Sequence, residues 1–209
     1  MTAKKLKEYE KNALIFDDIK EAKLCFADIF GRKKPVHIEV GSGKGTFLAS
    51  QATAYPDIDF IGIEWARKYY RFAVDRMGRR GLQNVRLIRT EAASFIEKNI
   101  ESQSVDCFHI YFPDPWPKRA HHKRRFICAQ NITHIIRCLK QGGIINIATD
   151  HKEYFEWMEN EFTGFENALT KIDFIKPAGA KENEMVGTNF ERKYIKEKRN
   201  INTIAFKKN

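Results

Sequence analysis

Four acidic side chains of this 209-residue chain stand where short apolar runs give way to loops. Glu39 opens Glu39-Val40-Gly41-Ser42-Gly43-Lys44-Gly45, Glu64 closes Phe60–Glu64, and Glu91 follows Val85–Arg89. Asp114 lies inside Phe112-Pro113-Asp114-Pro115-Trp116-Pro117-Lys118. Gly41, Gly43 and Gly45 permit a tight turn and a close approach of backbone to a ligand. The spacing is GxGxG, not the GxGxxG of a dinucleotide loop, and no serine or threonine follows a Gly-Lys pair as a Walker loop requires. A carboxylate two residues ahead of the first glycine repels a pyrophosphate and attracts a cationic amino-acid tail. Glu64, 23 residues beyond Gly41, stands where an acid takes both ribose hydroxyls. Glu91 stands where an acid meets an adenine amino group. Singly, each acid reads equally well as a solvated strand-end charge. Three at successive strand ends suit S-adenosylmethionine, whose sulfonium and ammonium are both positive.

The fourth apolar run, Val105–Phe112, enters a loop with three prolines in five residues, Pro113, Pro115 and Pro117. They stiffen the loop, so it holds a side chain at little ordering cost, and Asp114 is pinned between two of them. Lys118, Arg119, His121, His122, Lys123, Arg124 and Arg125 follow without an acid. Positive charge beside Trp116 has the character of a nucleic-acid surface, against the plainer reading of a solvated helix start. The whole chain agrees: Lys and Arg number 37 against 27 Asp and Glu, a net charge of +10. That excess suits a polyanionic partner such as RNA.

Regular elements must position these residues. Strands are expected at Val36–Val40, Phe60–Glu64, Val85–Arg89, Val105–Phe112 and Ile144–Thr149. Helices are expected from the glycine loop to Tyr55, over Ala66–Arg80 with Gly81 as cap, near Ala92–Lys98, up to Leu139 before a Gly142-Gly143 turn, and from Glu153. The apolar spacing of Leu14, Ile15, Ile19, Ala22, Phe26 and Ile29 predicts a further helix over Asn12–Phe30, ended by Gly31. Ile201–Lys207 reads as a last strand. Alternating strands and helices predict an α/β fold, a mostly parallel sheet with helices on both faces. The length suits one domain over residues 1–209, with residues 1–11 loose.

Cys25, Cys107, Cys128 and Cys138 have no CxxC spacing, which points to buried thiols and to no metal site. No apolar stretch approaches a membrane span and the N-terminus lacks an apolar signal core, so a cytoplasmic protein with no membrane partner is expected.

The combination resembles the bacterial tRNA (guanine-N7)-methyltransferase family, which modifies guanine 46 of the tRNA variable loop. The resemblance runs from about Val36 to Tyr194. It rests on the Glu39–Gly45 loop, Gly62-Ile63-Glu64, the Pro113–Lys118 loop with its Lys123-Arg124-Arg125 end, Ala148-Thr149-Asp150, and Thr188-Asn189-Phe190-Glu191. It implies a Rossmann-like class I fold, S-adenosylmethionine as cofactor and tRNA as partner; the sequence leaves a monomer and a homodimer equally open. It implies that Glu39, Glu64, Glu91 and Asp114 surround cofactor and base, and that Lys118, Asp150 and Thr188–Glu191 contact substrate. Members usually carry arginine where Ala120 stands, lysine where Asn189 stands and aspartate where Glu91 stands. The first two departures remove positive charge from the RNA side.

Guanine N7 carries an in-plane lone pair, so the chemistry needs neither a base nor a covalent intermediate, only positioning. Positive charge developing on the purine strengthens the guanine N1–H and N2–H donors, and a fixed carboxylate there favours the transition state. Asp114 is the first candidate for that catalytic role. Asp150 is the second, with an N-cap as its plainer role. An amino-group methyltransferase and a non-catalytic RNA-binding relative are the alternatives.

Overall fold

The apolar runs fold as the middle of one eight-stranded sheet. The computed structural model describes residues 6–7, 9–14 and 22–209. Its strands are β1 (Ala13–Leu14), β2 (Val36–Val40), β3 (Asp59–Ile63), β4 (Val85–Ile88), β5 (Val105–Tyr111), β6 (Leu139–Thr149), β7 (Leu169–Ile172) and β8 (Asn202–Lys208). Their order is β1-β4-β3-β2-β5-β6-β8-β7. β1 to β6 pair in parallel, whereas β8 lies antiparallel between β6 and β7.

The helices are α1 (Phe26–Phe30), α2 (Thr46–Ala54), α3 (Arg67–Arg79), α4 (Ala92–Asn99), α5 (Ala129–Cys138), α6 (Lys152–Phe162) and α7 (Asn189–Lys196). β2, β3 and β5 are buried along nearly their whole length, as parallel strands between two helical layers must be. On one face, Leu48, Ala52, Ala73 and Met77 of α2 and α3 pack against Phe60, Val85 and Leu87. On the other, Phe95, Ile132, Ile135 and Met158 of α4 to α6 pack against Ile38, Ile61, Phe108, Ile110 and Ile145.

From β2 the chain moves outward to β3 and β4, then returns to β5 on the other flank of β2. A crevice opens at the carboxyl ends of strands where the order reverses in this way. The register Val40↔Ile110 brings the glycine loop and the Pro113–Lys118 loop to its two sides. Gly45 has a left-handed φ of 66°, and a Cβ there would lie 2.6 Å from Met77 Cε and 3.0 Å from Ala73 Cβ. Only glycine lets α2 start this close to α3.

Four departures from the sequence pattern have physical causes. The helix expected over Asn12–Phe30 is not continuous: Ala13–Leu14 pairs with β4, Leu24 bridges Ile100, and only Phe26–Phe30 is helical, capped by Gly31 at φ 67°. Residues 15–21 of that expectation, and most of the segment expected to be loose, lie outside the described residues. Asn12, proposed to begin a helix, instead donates its amide to the carbonyls of Leu82 at 2.8 Å and Val85 at 3.0 Å. The Gly142-Gly143 turn lies within β6, where the pairing with β5 shifts register. The helix expected up to Leu139 starts only at Ala129: a 3₁₀ turn, Arg119–Arg124, precedes it, and the chain between them buries Arg125 and Ile127. β7 and α7 have no counterpart in the sequence reading. No helix among the described residues is long and apolar enough to cross a membrane.

Candidate active site

The loop after β2 is built by backbone hydrogen bonds. Gly41 and Ser42 each donate to the Ile63 carbonyl at 2.9 Å, and Gly45 donates to Ser42 at 2.8 Å. Gly41, Gly43 and Gly45 all have positive φ. Glu64 joins this loop to the next, its two carboxylate oxygens accepting from Gly43 N–H and Ala66 N–H, each at 2.7 Å. A cavity of about 380 Å³ opens beside the loop. Glu39, Gly41–Lys44, Phe47 and Tyr111 form its inner walls, and Thr188, Asn189 and Phe190 of the distant α7 region close it. A larger depression of about 530 Å³ lies between Lys23, Glu97, His134 and Arg137. It sits where β5 begins, the wrong end of the strands for a ligand in this class of sheet.

Glu39 is 4% exposed, and its Oε2 has no hydrogen-bond partner among the described residues. Burial, and then the Glu64 carboxylate, push its pKa well above the usual carboxylate range. An unpartnered buried carboxylate is costly unless a cation or donor meets it. The buried Ser42 hydroxyl, in the wall of the same cavity, also has no partner among the described residues. The residues present thus fit the ammonium end of S-adenosylmethionine.

The other acids are placed differently from one another. Both Glu64 oxygens already hold backbone N–H groups, so this residue shapes the loop whatever else it binds. Glu91 is the N-cap of α4, accepting from Ala93 N–H at 3.0 Å and Ser94 N–H at 2.7 Å. Its carboxylate is committed to the helix end. Asp114 is exposed and has no hydrogen bond or ion pair among the described residues. Its loop is shaped by left-handed residues on either side, Phe112 at φ 53° and Trp116 at φ 44°. Asp150 receives a hydrogen bond from Arg199 at 2.7 Å. It is not an N-cap: His151 holds that position on α6, accepting from Tyr154 N–H at 3.2 Å.

The basic segment divides. Lys118, Lys123 and Arg124 are exposed, His121 packs edge-on to Trp116 at 5.7 Å, and the Arg124 guanidinium lies 5.0 Å from the Trp116 ring. Arg125 is a correction. It is 2% exposed, donates to the Pro115 carbonyl at 2.9 Å and to Glu153 at 2.6 Å, and lies over the Tyr154 and Trp157 rings. It anchors the loop from within and is not available to RNA.

Arg125→Ala is therefore expected to cost about 2–3 kcal/mol, below a fully buried pair because Glu153 is half exposed. Thermal unfolding should show a melting temperature lower by roughly 5–10 °C. The hydrogen bond from Arg125 holds Glu153 below its ordinary pKa, so this part of the loss should fade as pH falls through that depressed value. An unchanged melting temperature would remove Arg125 from the loop's support.

Thr188 and Glu191 are also structural. Thr188 caps α7 by accepting from Glu191 N–H at 3.0 Å. The fully buried Glu191 carboxylate accepts from the N–H groups of Met185, Val186 and Gly187. Together they hold Asn189 and Phe190 at the cavity, where Asn189 donates to Thr46 Oγ1 at 2.7 Å. This T-x-x-E pattern is a local signal of a helix start that the sequence reading did not use. Three polar residues in and behind the cavity wall gave no such signal. His37, His109 and Tyr111 line up behind Glu39 inside runs that read only as apolar strands. His37, Cys107 and His109 bring their ligand atoms within 4.8 Å of one another, a grouping that spacing does not reveal.

A family model described as "Putative methyltransferase" matches residues 33–204. A Streptococcus thermophilus protein named tRNA (guanine-N(7)-)-methyltransferase is 34% identical over 173 residues, which is 83% of this chain and 80% of that protein. One of the same name from Rhodopirellula baltica is 41% identical over 133 residues, 61% of this chain and 49% of its own length. The chain thus matches about half the length of that relative. Among solved structures, a 30S ribosomal A1408 methyltransferase from an uncultured bacterium superposes with TM-score 0.59 at 19% identity, covering 100% of this chain and 98% of the other. The aminoglycoside resistance methyltransferase NpmB1 gives TM-score 0.58 at 14% identity, covering 88% of this chain and 92% of the other. At such identities the likeness shows the fold alone.

Proposed function

The chain belongs to the tRNA (guanine-N7)-methyltransferase family and is an S-adenosylmethionine-dependent enzyme; on that premise we propose that it methylates N7 of a variable-loop guanine in tRNA. When bound, the cofactor supplies a methyl group on a positively charged sulfur. Glu39 holds the cofactor's ammonium, and the glycine loop, shaped by Glu64, passes close beside it. Asp114 accepts from the guanine N1–H and N2–H as positive charge builds on the purine. The observation that carries this reading is the contrast between the two candidate carboxylates. Asp114 has no ion pair or hydrogen bond among the described residues, whereas Asp150 is held by Arg199. Lys118, Lys123, Arg124 and His121, with Trp116, form the face that meets RNA. Glu91 keeps a capping role, and its exposure leaves room for the adenine end nearby. A tRNA substrate is in keeping with a cytoplasmic protein.

The test is methyl transfer to unmodified tRNA by the purified protein alone, with the modified nucleotide mapped. 7-Methylguanosine in the variable loop is the expected product; N6-methyladenosine, or no transfer, overturns the reading. In the same assay Lys123→Ala with Arg124→Ala should weaken tRNA binding and reduce its salt slope by up to about 2. S-adenosylhomocysteine binding should not change. An unaltered salt slope would take those side chains off the RNA face.

A further inference from the structure

A polar stripe runs down one face of β2 and β5, and the chemistry described so far leaves it without a role. On β5 the alternate residues Cys107, His109 and Tyr111 share the face covered by α2. β2 sets His37 opposite Cys107 and Glu39 opposite His109. His37 Nδ1 lies 3.1 Å from His109 Nε2, and His109 Nδ1 lies 2.9 Å from the Tyr111 hydroxyl. Phe47 packs on the His109 and Tyr111 rings at 4.8 and 5.0 Å. The chain of hydrogen bonds therefore starts near the amino ends of the strands and finishes at Tyr111, in the wall of the cavity that Glu39 also lines.

Burial keeps every link neutral: it pushes His37 down to about 4, His109 well below the usual imidazole range, and Tyr111 well above the usual phenol range. A neutral imidazole donates through one nitrogen and accepts through the other. The protons of the chain must then all point toward the cavity or all away from it. An ammonium group is three donors and no acceptor, so a hydroxyl beside it has to offer a lone pair. Its oxygen carries two lone pairs, and both stay free for the ligand side only when Tyr111 gives its own proton to His109 Nδ1; His109 then gives its proton to His37 Nδ1, and the remaining N–H of His37 faces outward. The outer end suits this direction. Asp106, held by Val36 N–H and Lys140, acts on His37 there with its negative charge.

We propose that Tyr111 is a cofactor-binding residue whose hydroxyl oxygen accepts from the ammonium of the cofactor's amino-acid tail alongside Glu39. His109 and His37 are the positioning residues that draw its proton away from the cavity. The proposal rests on the cavity being the S-adenosylmethionine site.

Calorimetry with S-adenosylhomocysteine, which has the tail, and 5′-methylthioadenosine, which lacks it, separates the possibilities. Tyr111→Phe keeps the ring against Phe47 and removes only the hydroxyl. It should weaken S-adenosylhomocysteine roughly 5–10-fold and leave 5′-methylthioadenosine unchanged. His109→Phe should give the same loss, and the double variant no further loss, because one interaction is removed in each case. In the S-adenosylhomocysteine complex, nitrogen NMR should find His109 protonated at Nε2 and bare at Nδ1. Unchanged binding of S-adenosylhomocysteine to Tyr111→Phe, equal losses for both ligands, or His109 protonated at Nδ1 in the complex would each overturn the proposal. Wild-type protein that binds neither ligand would overturn the cofactor reading as well, which distinguishes the two failures.

Discussion

Asp114→Asn is expected to slow the methyl-transfer step roughly 10²–10³-fold, by analogy with the loss of one preorganised electrostatic group. Affinity for tRNA and for the cofactor should stay within a few-fold, since the carboxylate matters most when charge has built up on the purine. Asparagine keeps the size of the side chain, and the loop's path does not depend on the charge. Pro113 and Pro115 restrict the backbone, Phe112 and Trp116 set its two bends, and Arg125 holds the Pro115 carbonyl. Single-turnover transfer with both ligands saturating isolates the step. Asp150→Asn is the comparison. It weakens the ion pair to Arg199, whose guanidinium stacks 4.8 Å over Tyr194, and so loosens the support of α7. A normal rate for Asp114→Asn with a collapsed rate for Asp150→Asn would exchange the two assignments.

Glu39→Gln should raise the dissociation constant for S-adenosylhomocysteine by about 10- to 100-fold, the effect of a buried charge-assisted hydrogen bond worth about 1.5–3 kcal/mol. The buried carboxyl also carries a proton signature. Its folded-state pKa is raised by burial and by Glu64, so its favourable effect on folding is present at low pH and lost as pH rises through the raised value. An ammonium ligand favours the ionised form. Binding must then expel a proton between the ordinary glutamate range and the raised value, and affinity should climb with pH across that window. Titrations in two buffers of different ionisation enthalpy should give different apparent heats for wild type and equal heats for Glu39→Gln. Equal heats for both proteins, with equal affinity, would take Glu39 out of the site.

The parts of the site readable from sequence were those fixed by neighbours along the chain. The glycine spacing, the acids at strand ends and the three prolines are local patterns, and each lies at the crevice. Arg125 shows the limit. Nothing in Lys123-Arg124-Arg125 separates the third residue from the other two; its partners Glu153, Tyr154 and Trp157 arrive from another helix. The same holds for His109 and Tyr111. In a strand buried on both faces, polar residues at alternate positions are lost among apolar ones, and only the register with β2 reveals the line they form. Glu91 carries a second role that the sequence reading did not separate from ligand binding. An acid followed by Ala92-Ala93-Ser94 satisfies both a ligand site and a helix cap, and the unfilled backbone N–H groups of α4 are the nearer partner.

The placement of β8 between β6 and β7 has a consequence for how the molecule comes off the ribosome. Among the described residues β7 pairs with the sheet only through β8, although it is made first. α7, which completes the cavity wall, immediately precedes β8 in the chain. A nascent chain synthesised as far as β7 can assemble the parallel strands and the glycine loop, but its pocket still lacks a side and its β7 segment has no strand to join. Both defects are repaired in one late event, when the residues through Lys208 slot into the gap. Closure of the cavity is thereby tied to synthesis of the chain through Lys208, and a polypeptide cut short before Asn202 leaves β7 without its pairing partner.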